Sequence, residues 1–273
     1  MKTFVIAGGT SGIGLEAARQ LLWEGHRVIL LGRSEEKGRA AVDSFGAARG
    51  RAQFHSVDLS THDGVRAAAR RVAEVTDQID GLLHSAADFV TENVRTKDGL
   101  PLFVALGYMS RYHLTQLLLP QLLKAEHPRV MMFIAGFRET PKFDPQPFPN
   151  FPKKFSFFRG VVPINAAGMH YADYLMKTNP KIFAGTACPG AVRTTLFDKA
   201  PWYLRAMAAL SHALAATPLE TSARNAVRAL LTGEGPAALN WPKPDDFNQC
   251  LAITVDPTVQ TTIMARSREA TGV

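Results

Sequence analysis

The chain has 273 residues, of which 46% are hydrophobic and 20% charged, and its formal net charge is +7. This composition excludes disorder as the main state, and no stretch approaches the roughly 18 consecutive apolar residues that span a membrane. The basic residues are scattered, which argues against a nucleic-acid partner, although an anionic ligand such as a phosphorylated cofactor or an acyl thioester would suit the net charge.

The N-terminal residues lack the pattern of a secretory signal, and the only two cysteines, Cys188 and Cys250, lie far apart in the sequence. These features predict a reducing, cytoplasmic location without disulfides, and the histidines show no spacing typical of a metal site. We therefore expect a protein with a small-molecule ligand and with neither a metal nor a membrane partner.

Short apolar runs alternate with segments of helical spacing along most of the chain. The runs predict strands at Thr3–Ala7, Arg27–Leu31, Gln53–Val57, Gly81–His84, Val130–Ile134 and Ile182–Ala187. Strands that alternate with helices indicate βαβ units and a parallel sheet covered on both faces. The sequence therefore predicts an α/β fold with a doubly wound parallel sheet, in one domain that covers residues 1–273.

Two segments interrupt this alternation. Residues 137–163 include five prolines and six phenylalanines between Pro141 and Phe158, and residues 196–217 are apolar and aromatic. The prolines exclude a regular helix or a central strand. A surface linker would not carry so many phenylalanine rings, so both segments are predicted to act as lids over an apolar substrate pocket.

A glycine-rich loop follows the first predicted strand and leads into a helix. Glycines at 8, 12 and 14 would allow a tight turn and let backbone N–H groups approach a pyrophosphate at the helix N-terminus. The predicted contact residues are Gly8, Thr10, Ser11, Gly12, Ile13 and Gly14. The alternative is a glycine-rich turn without a ligand, but the position between strand and helix favours a dinucleotide site.

The residues after the second strand bear on which dinucleotide is used. NAD-binding proteins often place an acidic residue there for the ribose 2′-hydroxyl, whereas this chain has Arg33 and Ser34. A guanidinium suits a 2′-phosphate because it is charged and offers a planar fork of donors. We therefore expect NADP(H) rather than NAD(H), and the alternative for Arg33 is a solvated loop cation.

With these motifs the sequence resembles the short-chain dehydrogenase/reductase superfamily over roughly residues 3–235. Beside the glycine loop, the resemblance rests on Asp58-Leu59, on Leu83 to Ala87 and on Pro189 to Thr194. It implies a Rossmann-type fold, a homodimer or homotetramer, and a dimer face on the helix that carries Arg111 and Tyr112. It also implies cofactor contacts by Asp58, Leu59, Ser85, Ala86, Pro189, Gly190, Val192 and Thr194.

The same resemblance implies an Asn-Ser-Tyr-Lys catalytic tetrad, and this chain lacks all four residues. Alignment places Gly107 at the Asn position, Ala135 at the Ser position, and Ala166 and His170 at the Tyr and Lys positions. A shift of one or two residues would not restore the pair, because no Tyr-x-x-x-Lys occurs in the sequence.

Three interpretations remain open at this point. The chain could be an atypical NADP(H)-dependent reductase of an apolar, aromatic or polyketide-like substrate, with His170, Tyr171 or Tyr174 as a substitute acid; Tyr108 and His84 are further candidates. Each of these side chains could instead simply pack the core. The other two interpretations are a non-redox cyclase, isomerase or dehydratase on the same scaffold, and a non-catalytic NADP(H) sensor or partner subunit.

Overall fold

The computed structural model of the protein describes residues 1–87, 94–151, 157–192 and 216–273, with the backbone alone for residues 157–159. Eight strands in these ranges form one sheet: β1 (Thr3–Ala7), β2 (Arg27–Gly32), β3 (Ala52–Ser56), β4 (Gly81–His84), β5 (Arg129–Phe133), β6 (Phe183–Ala187), β7 (Leu239–Trp241) and β8 (Leu251–Ala252). Their order across the sheet is β3-β2-β1-β4-β5-β6-β7-β8. All neighbours are parallel except β8, which runs antiparallel to β7.

The helices alternate with the strands. They are α1 (Gly12–Trp23), α2 (Glu35–Asp43), α3 (His62–Val75), α4 (Leu102–Val104), α5 (Ser110–Leu122), α6 (Phe157–Thr178), α7 (Leu219–Thr232) and α8 (Pro257–Thr271). A π-helical turn, Ala105–Met109, joins α4 to α5. None of the helices within the described ranges is both long and apolar enough to cross a membrane.

Two apolar cores lie on opposite faces of the sheet. One contains Ala17, Leu21 and Leu230 from α1 and α7, together with Phe4 of β1. The other collects side chains from α3, α5, α6 and α8 against the opposite strand faces, with Val5 on the sheet side. The strands are buried on both faces, which explains why their sequences are continuous apolar runs. The predicted doubly wound α/β class is confirmed.

The six predicted strands are present within one residue at each end, while the end of the chain adds structure that the sequence did not specify. Residues after Leu239 form β7, β8 and α8, and Asp256 begins α8 by accepting hydrogen bonds from the N–H groups of Thr258 and Val259. Helix α8 packs against α5 and α6, where the Tyr108 hydroxyl lies 3.0 Å from that of Ser267.

The described part of the proline-rich segment packs onto this same region. The ring of Phe148 is fully buried and meets Tyr108 edge-on with centroids 5.2 Å apart, and its carbonyl accepts a hydrogen bond from Arg266 of α8. Phe148 therefore packs into the chain's own core. Residues 157–163, which were predicted to belong to the first lid loop, instead form the start of α6, with Pro163 inside the helix. The lid predicted over residues 196–217 lies almost entirely outside the described residues, and a lid role for either segment stays a prediction.

Candidate cofactor and active site

The loop after β1 approaches the end of β4 so closely that only glycine fits. Gly8 has φ +85°, and a Cβ built on it would lie 2.5 Å from the backbone nitrogen of Ala86. The Ser85 N–H donates to the Ala7 carbonyl at 2.8 Å, which holds the two strand ends together. In this sheet order β1 lies between β2 and β4, so the loop borders the crevice where ligands bind in such folds.

Helix α1 begins in this crevice with donors available for an anion. Ser11, which precedes the helix, is extended and makes no side-chain hydrogen bond to the first turn, and that turn contains no acidic residue. A Cβ on Gly14 would collide with the Gly8 carbonyl oxygen, so the helix start lies directly against the loop. Exposed N–H groups and the helix dipole together fit a pyrophosphate.

The predicted adenosine end lies beside β2 and β3. A Cβ on Gly32 would come within 2.9 Å of the Thr10 methyl group, so the glycine loop packs directly on the end of β2. Arg33 follows β2 and is exposed, and its carbonyl accepts a hydrogen bond from the Ser56 hydroxyl at 2.9 Å. Ser34 caps α2 by accepting from the Lys37 N–H. Arg33 is thus placed at the carboxyl edge of the sheet, as the proposed phosphate contact requires.

Asp58 and Leu59 follow β3 at the same edge. Asp58 is exposed and accepts hydrogen bonds from the backbone and the hydroxyl of Ser60, whereas Leu59 is buried. The carboxylate therefore already orders its own turn. An adenine contact by this pair remains a prediction.

The segment after β6 lies on the other side of the crevice. Gly190 has φ +77°, and its N–H donates to the Cys188 sulfur at 3.3 Å. The Thr217 N–H donates to the Ala191 carbonyl, so this segment is tied to the start of α7. Pro189, Gly190 and Val192 are at the carboxyl end of β6, as predicted; Thr194 lies outside the described residues.

The end of β5 leads to Ala135, which the resemblance aligns with the catalytic serine. The Ala135 N–H donates to Asn165 Oδ1 at 2.7 Å, and Asn165 Nδ2 donates to the Val161 carbonyl at 2.6 Å. Asn165, not Ala166, is thus the α6 residue that faces the Ser position, and Met169 rather than His170 follows it by four. Both polar atoms of Asn165 are bonded to backbone, and an amide is not a proton donor for a reduced carbonyl.

The remaining position of the tetrad is filled by an apolar side chain. A Cβ on Gly107, in the π-helical turn, would lie 2.7 Å from Cδ1 of Ile164. An asparagine would not fit at Gly107 unless Ile164 moved. Ile164 therefore fills the space that a side chain at position 107 would take.

The three predicted substitute acids lie on other faces of α6. Tyr171 is fully buried, and its hydroxyl accepts from Gln116 at 3.0 Å; burial raises the pKa of this phenol well above its usual value. His170 is 2% exposed, and burial lowers its pKa to about 4. Tyr174 accepts a hydrogen bond from Arg268 of α8.

The two tyrosine hydroxyls hydrogen-bond to side chains of α5 and α8, and the backbone carbonyl of His170 accepts from Gln260 of α8. Within the described ranges, none of the three side chains hydrogen-bonds to the glycine loop or to the end of β5. Tyr108 and His84 are buried as well, and His84 Nε2 lies 2.9 Å from the Thr115 hydroxyl. These positions favour the packing interpretation.

Arg111 and Tyr112, which the resemblance placed on a dimer face, are buried inside the chain at 6% and 1% exposure. Their burial contradicts that interpretation: the Tyr112 hydroxyl donates to the Val273 carbonyl, and the Arg111 guanidinium lies near Gly168 of α6. The sequence did contain a signal for Arg111: it is the only Asp, Glu, Lys or Arg between Leu102 and Leu122.

Comparison with known proteins agrees with this architecture. A family model described as short chain dehydrogenase matches residues 2–136. Polyprenol dehydrogenase of Danio rerio is 26% identical over 206 residues, which are 72% of this chain and 64% of that protein. The chain therefore spans less than two thirds of the length of this relative.

Solved structures share the fold across nearly the whole chain. An uncharacterized protein from Mycobacterium paratuberculosis aligns with a TM-score of 0.74 at 20% identity, covering 100% of this chain and 94% of the other. An alcohol dehydrogenase from Thermococcus sibiricus, complexed with 5-hydroxy-NADP, aligns with a TM-score of 0.66 at 18% identity, covering 88% and 95%.

Proposed function

Since the chain belongs to the short-chain dehydrogenase/reductase superfamily, we propose that it is an NADP(H)-dependent oxidoreductase that reduces an apolar acceptor without a tyrosine–lysine pair. The observation that carries this proposal is the start of helix α1 beside the glycine loop, where Ser11 makes no side-chain hydrogen bond to the first turn and that turn holds no acidic residue. Its N–H groups and the helix dipole would therefore suit the pyrophosphate of a dinucleotide.

The residues present fit a dinucleotide in three places. The glycine loop and the N-terminus of α1 would hold the pyrophosphate, Arg33 would hold a 2′-phosphate, and Pro189 to Val192 would border the nicotinamide. When bound, NADPH supplies a hydride. The Thermococcus protein of the same fold is complexed with 5-hydroxy-NADP, which supports a cofactor of this class.

The side chains around the end of β5 restrict the acceptor. Ala135, Gly107 and Asn165 offer no acid that could protonate an alkoxide as it forms. The chain therefore suits acceptors that need little protonation by the protein, such as an iminium, a quinone methide or an activated enone. We infer an apolar, aromatic or polyketide-like acceptor from the composition of the two predicted lids.

The absence of acid–base groups at these positions also favours a second candidate, a non-redox cyclase, isomerase or dehydratase. In that case the chain would act by holding a reactive substrate in a productive conformation away from water. The two candidates differ in whether hydride leaves the cofactor.

Calorimetric titration of the purified protein with NADPH and with NADH tests the proposal. We expect NADPH to bind and to be preferred over NADH, because Arg33 offers a partner for the 2′-phosphate. Failure of both to bind would overturn it. With a substrate in hand, deuterium transfer from labelled NADPH to product would support the reductase, and turnover without cofactor would support the second candidate.

A further inference from the structure

Helix α5 carries a buried cation that no part of the described chain compensates. Arg111 is 6% exposed, and its Nε is buried without a hydrogen-bond partner. Within the described ranges no carbonyl or carboxylate accepts from its guanidinium. Burial lowers its pKa to about 10, so the group still carries its charge at neutral pH.

Another buried arginine, at the opposite edge of the sheet, shows what a structural role looks like. Arg129 begins β5 and is 7% exposed, close to the value for Arg111. Its Nε donates to the Gly233 carbonyl at 2.7 Å and its Nη1 to the His127 carbonyl at 3.0 Å. Buried guanidinium groups are normally paired in this way, because an unpaired one loses its hydration without replacement.

The position of Arg111 indicates where its partner would come from. A Cβ built on Gly168 of α6 would lie 4.0 Å from Nη1 of Arg111 and 3.6 Å from Cγ2 of Ile134. The charge of Arg111 also lowers the pKa of His84, the last residue of β4. The guanidinium is therefore near the carboxyl ends of β4 and β5, at the same edge as the contact between Gly8 and Ala86.

The sheet order indicates which half of a bound dinucleotide would lie beside Arg111. Arg33 and Asp58 lie beside β2 and β3, on one side of β1, whereas Arg111 lies beside β4 and β5, on the other side. A dinucleotide with its pyrophosphate on the glycine loop and its adenosine beside β2 would extend its other half toward β4 and β5.

We propose that Arg111 is a cofactor-binding residue, whose guanidinium donates hydrogen bonds to oxygen atoms at the nicotinamide end of the dinucleotide. This inference rests on the proposed function, because it requires a dinucleotide in the crevice. The oxygens of the ribose and of the carboxamide are acceptors, and they would supply the partners that Arg111 lacks.

Calorimetry with two ligands isolates the contact. NADPH contains the nicotinamide half, whereas 2′,5′-ADP contains only the phosphorylated adenosine half. In Arg111→Met we expect NADPH to bind about tenfold more weakly, or worse, with 2′,5′-ADP affinity unchanged, because only the former loses charge-assisted hydrogen bonds. Arg111→Lys should recover part of the loss, and the matched control Arg129→Met should leave both affinities as in the wild type.

The outcomes separate this inference from the proposed function. If the wild type binds 2′,5′-ADP and Arg111→Met binds NADPH as tightly as the wild type, the assignment of Arg111 is overturned while the proposed function stands. An equal loss for both ligands would also overturn it, since it would indicate a general distortion. If the wild type binds neither ligand, the proposed function itself fails.

The melting temperature of the ligand-free protein is a second measurement, and it distinguishes a cofactor-binding arginine from a structural one. Replacing an unpaired buried cation by an apolar side chain removes a desolvation cost, so Arg111→Met should melt at the wild-type temperature or above it. Arg129→Met should melt lower, because it leaves the Gly233 carbonyl unpaired. A drop for Arg111→Met as large as for Arg129→Met would show that Arg111 is structural and would overturn the proposal.

Discussion

The backbone N–H of Ala135 donates to the side-chain oxygen of Asn165, and this 2.7 Å hydrogen bond ties helix α6 to the end of strand β5. The family resemblance aligns Ala135 with the catalytic serine. The position holds a structural link between two elements, and under the proposed function any group that assists reduction would have to come from elsewhere in the crevice.

Replacing this link should reduce stability. In Asn165→Leu the Ala135 N–H loses its acceptor in a part-buried setting, and we expect a loss of about 1–3 kcal/mol in the free energy of unfolding. Urea denaturation would measure it. Asn179→Ala, at the end of α6, is the control and should cost less, because its side chain bonds only to carbonyl and hydroxyl groups of the final turn. Equal losses of stability in the two variants would contradict the proposed role of Asn165 in linking α6 to β5.

The glycine loop can be tested by a pair of glycine substitutions. Gly8→Ala would force a Cβ to 2.5 Å from the Ala86 backbone, so we expect a loss of more than about 2 kcal/mol in stability and no measurable NADPH binding. Gly46 also has positive φ, +56°, but a Cβ there would meet nothing within 4 Å. Gly46→Ala should therefore cost only about 1 kcal/mol of backbone strain and bind NADPH normally.

Cofactor preference should depend on Arg33. In Arg33→Ala we expect NADPH affinity to fall about tenfold or more and NADH affinity to stay constant, because only NADPH carries the 2′-phosphate. Arg39→Ala provides the control, since Arg39 lies on the neighbouring helix α2 in an exposed pair with Glu35. If both cofactors respond alike to Arg33→Ala, Arg33 is an ordinary loop cation.

Tyr171 offers a direct comparison of packing with catalysis. If the residue packs the core, Tyr171→Phe should lose about 1 kcal/mol in stability, from the hydrogen bond with Gln116, and keep wild-type NADPH affinity. Tyr174→Phe, whose hydroxyl accepts from the exposed Arg268, should cost less. Once a substrate is known, loss of turnover in Tyr171→Phe without loss of stability would restore the catalytic interpretation.

The buried histidine His170 makes stability depend on pH. The unfolded chain binds a proton at this ring below the ordinary pKa of 6.5, but the folded protein binds it only near its pKa of about 4, despite the nearby Asp173 and Asp256. The unfolded state thus holds more protons between these values, and stability falls as the pH drops through this window. The loss from this group is at most about 3 kcal/mol.

Urea denaturation at about pH 7 and about pH 5 would measure this dependence. His170→Gln should lose less stability than the wild type between the two pH values, although His84 and His113 contribute in the same direction. A His170→Gln variant as sensitive to pH as the wild type would contradict the assignment.

The sequence by itself determined the strands, the doubly wound class and the glycine loop. Each of these depends on local chemistry: Thr3–Ala7 is apolar on both faces because helices cover both sides of a parallel sheet, and Gly8 and Gly14 follow it because backbone must approach backbone. The absence of a Tyr-x-x-x-Lys pair was equally a property of the sequence alone.

Tertiary structure decided which side chains meet. Spacing along α6 could not choose between Asn165 and Ala166 as the residue that faces Ala135, because a shift by one position rotates a helix by about 100°. Nor could it show that Ser267 of α8, 159 residues further along the chain, lies beside Tyr108, or that Tyr112 contacts the C-terminal Val273. The burial of Arg111 without a partner for its Nε was equally invisible in the sequence. Burial and pairing depend on contacts between distant segments, and those exist only in the folded chain.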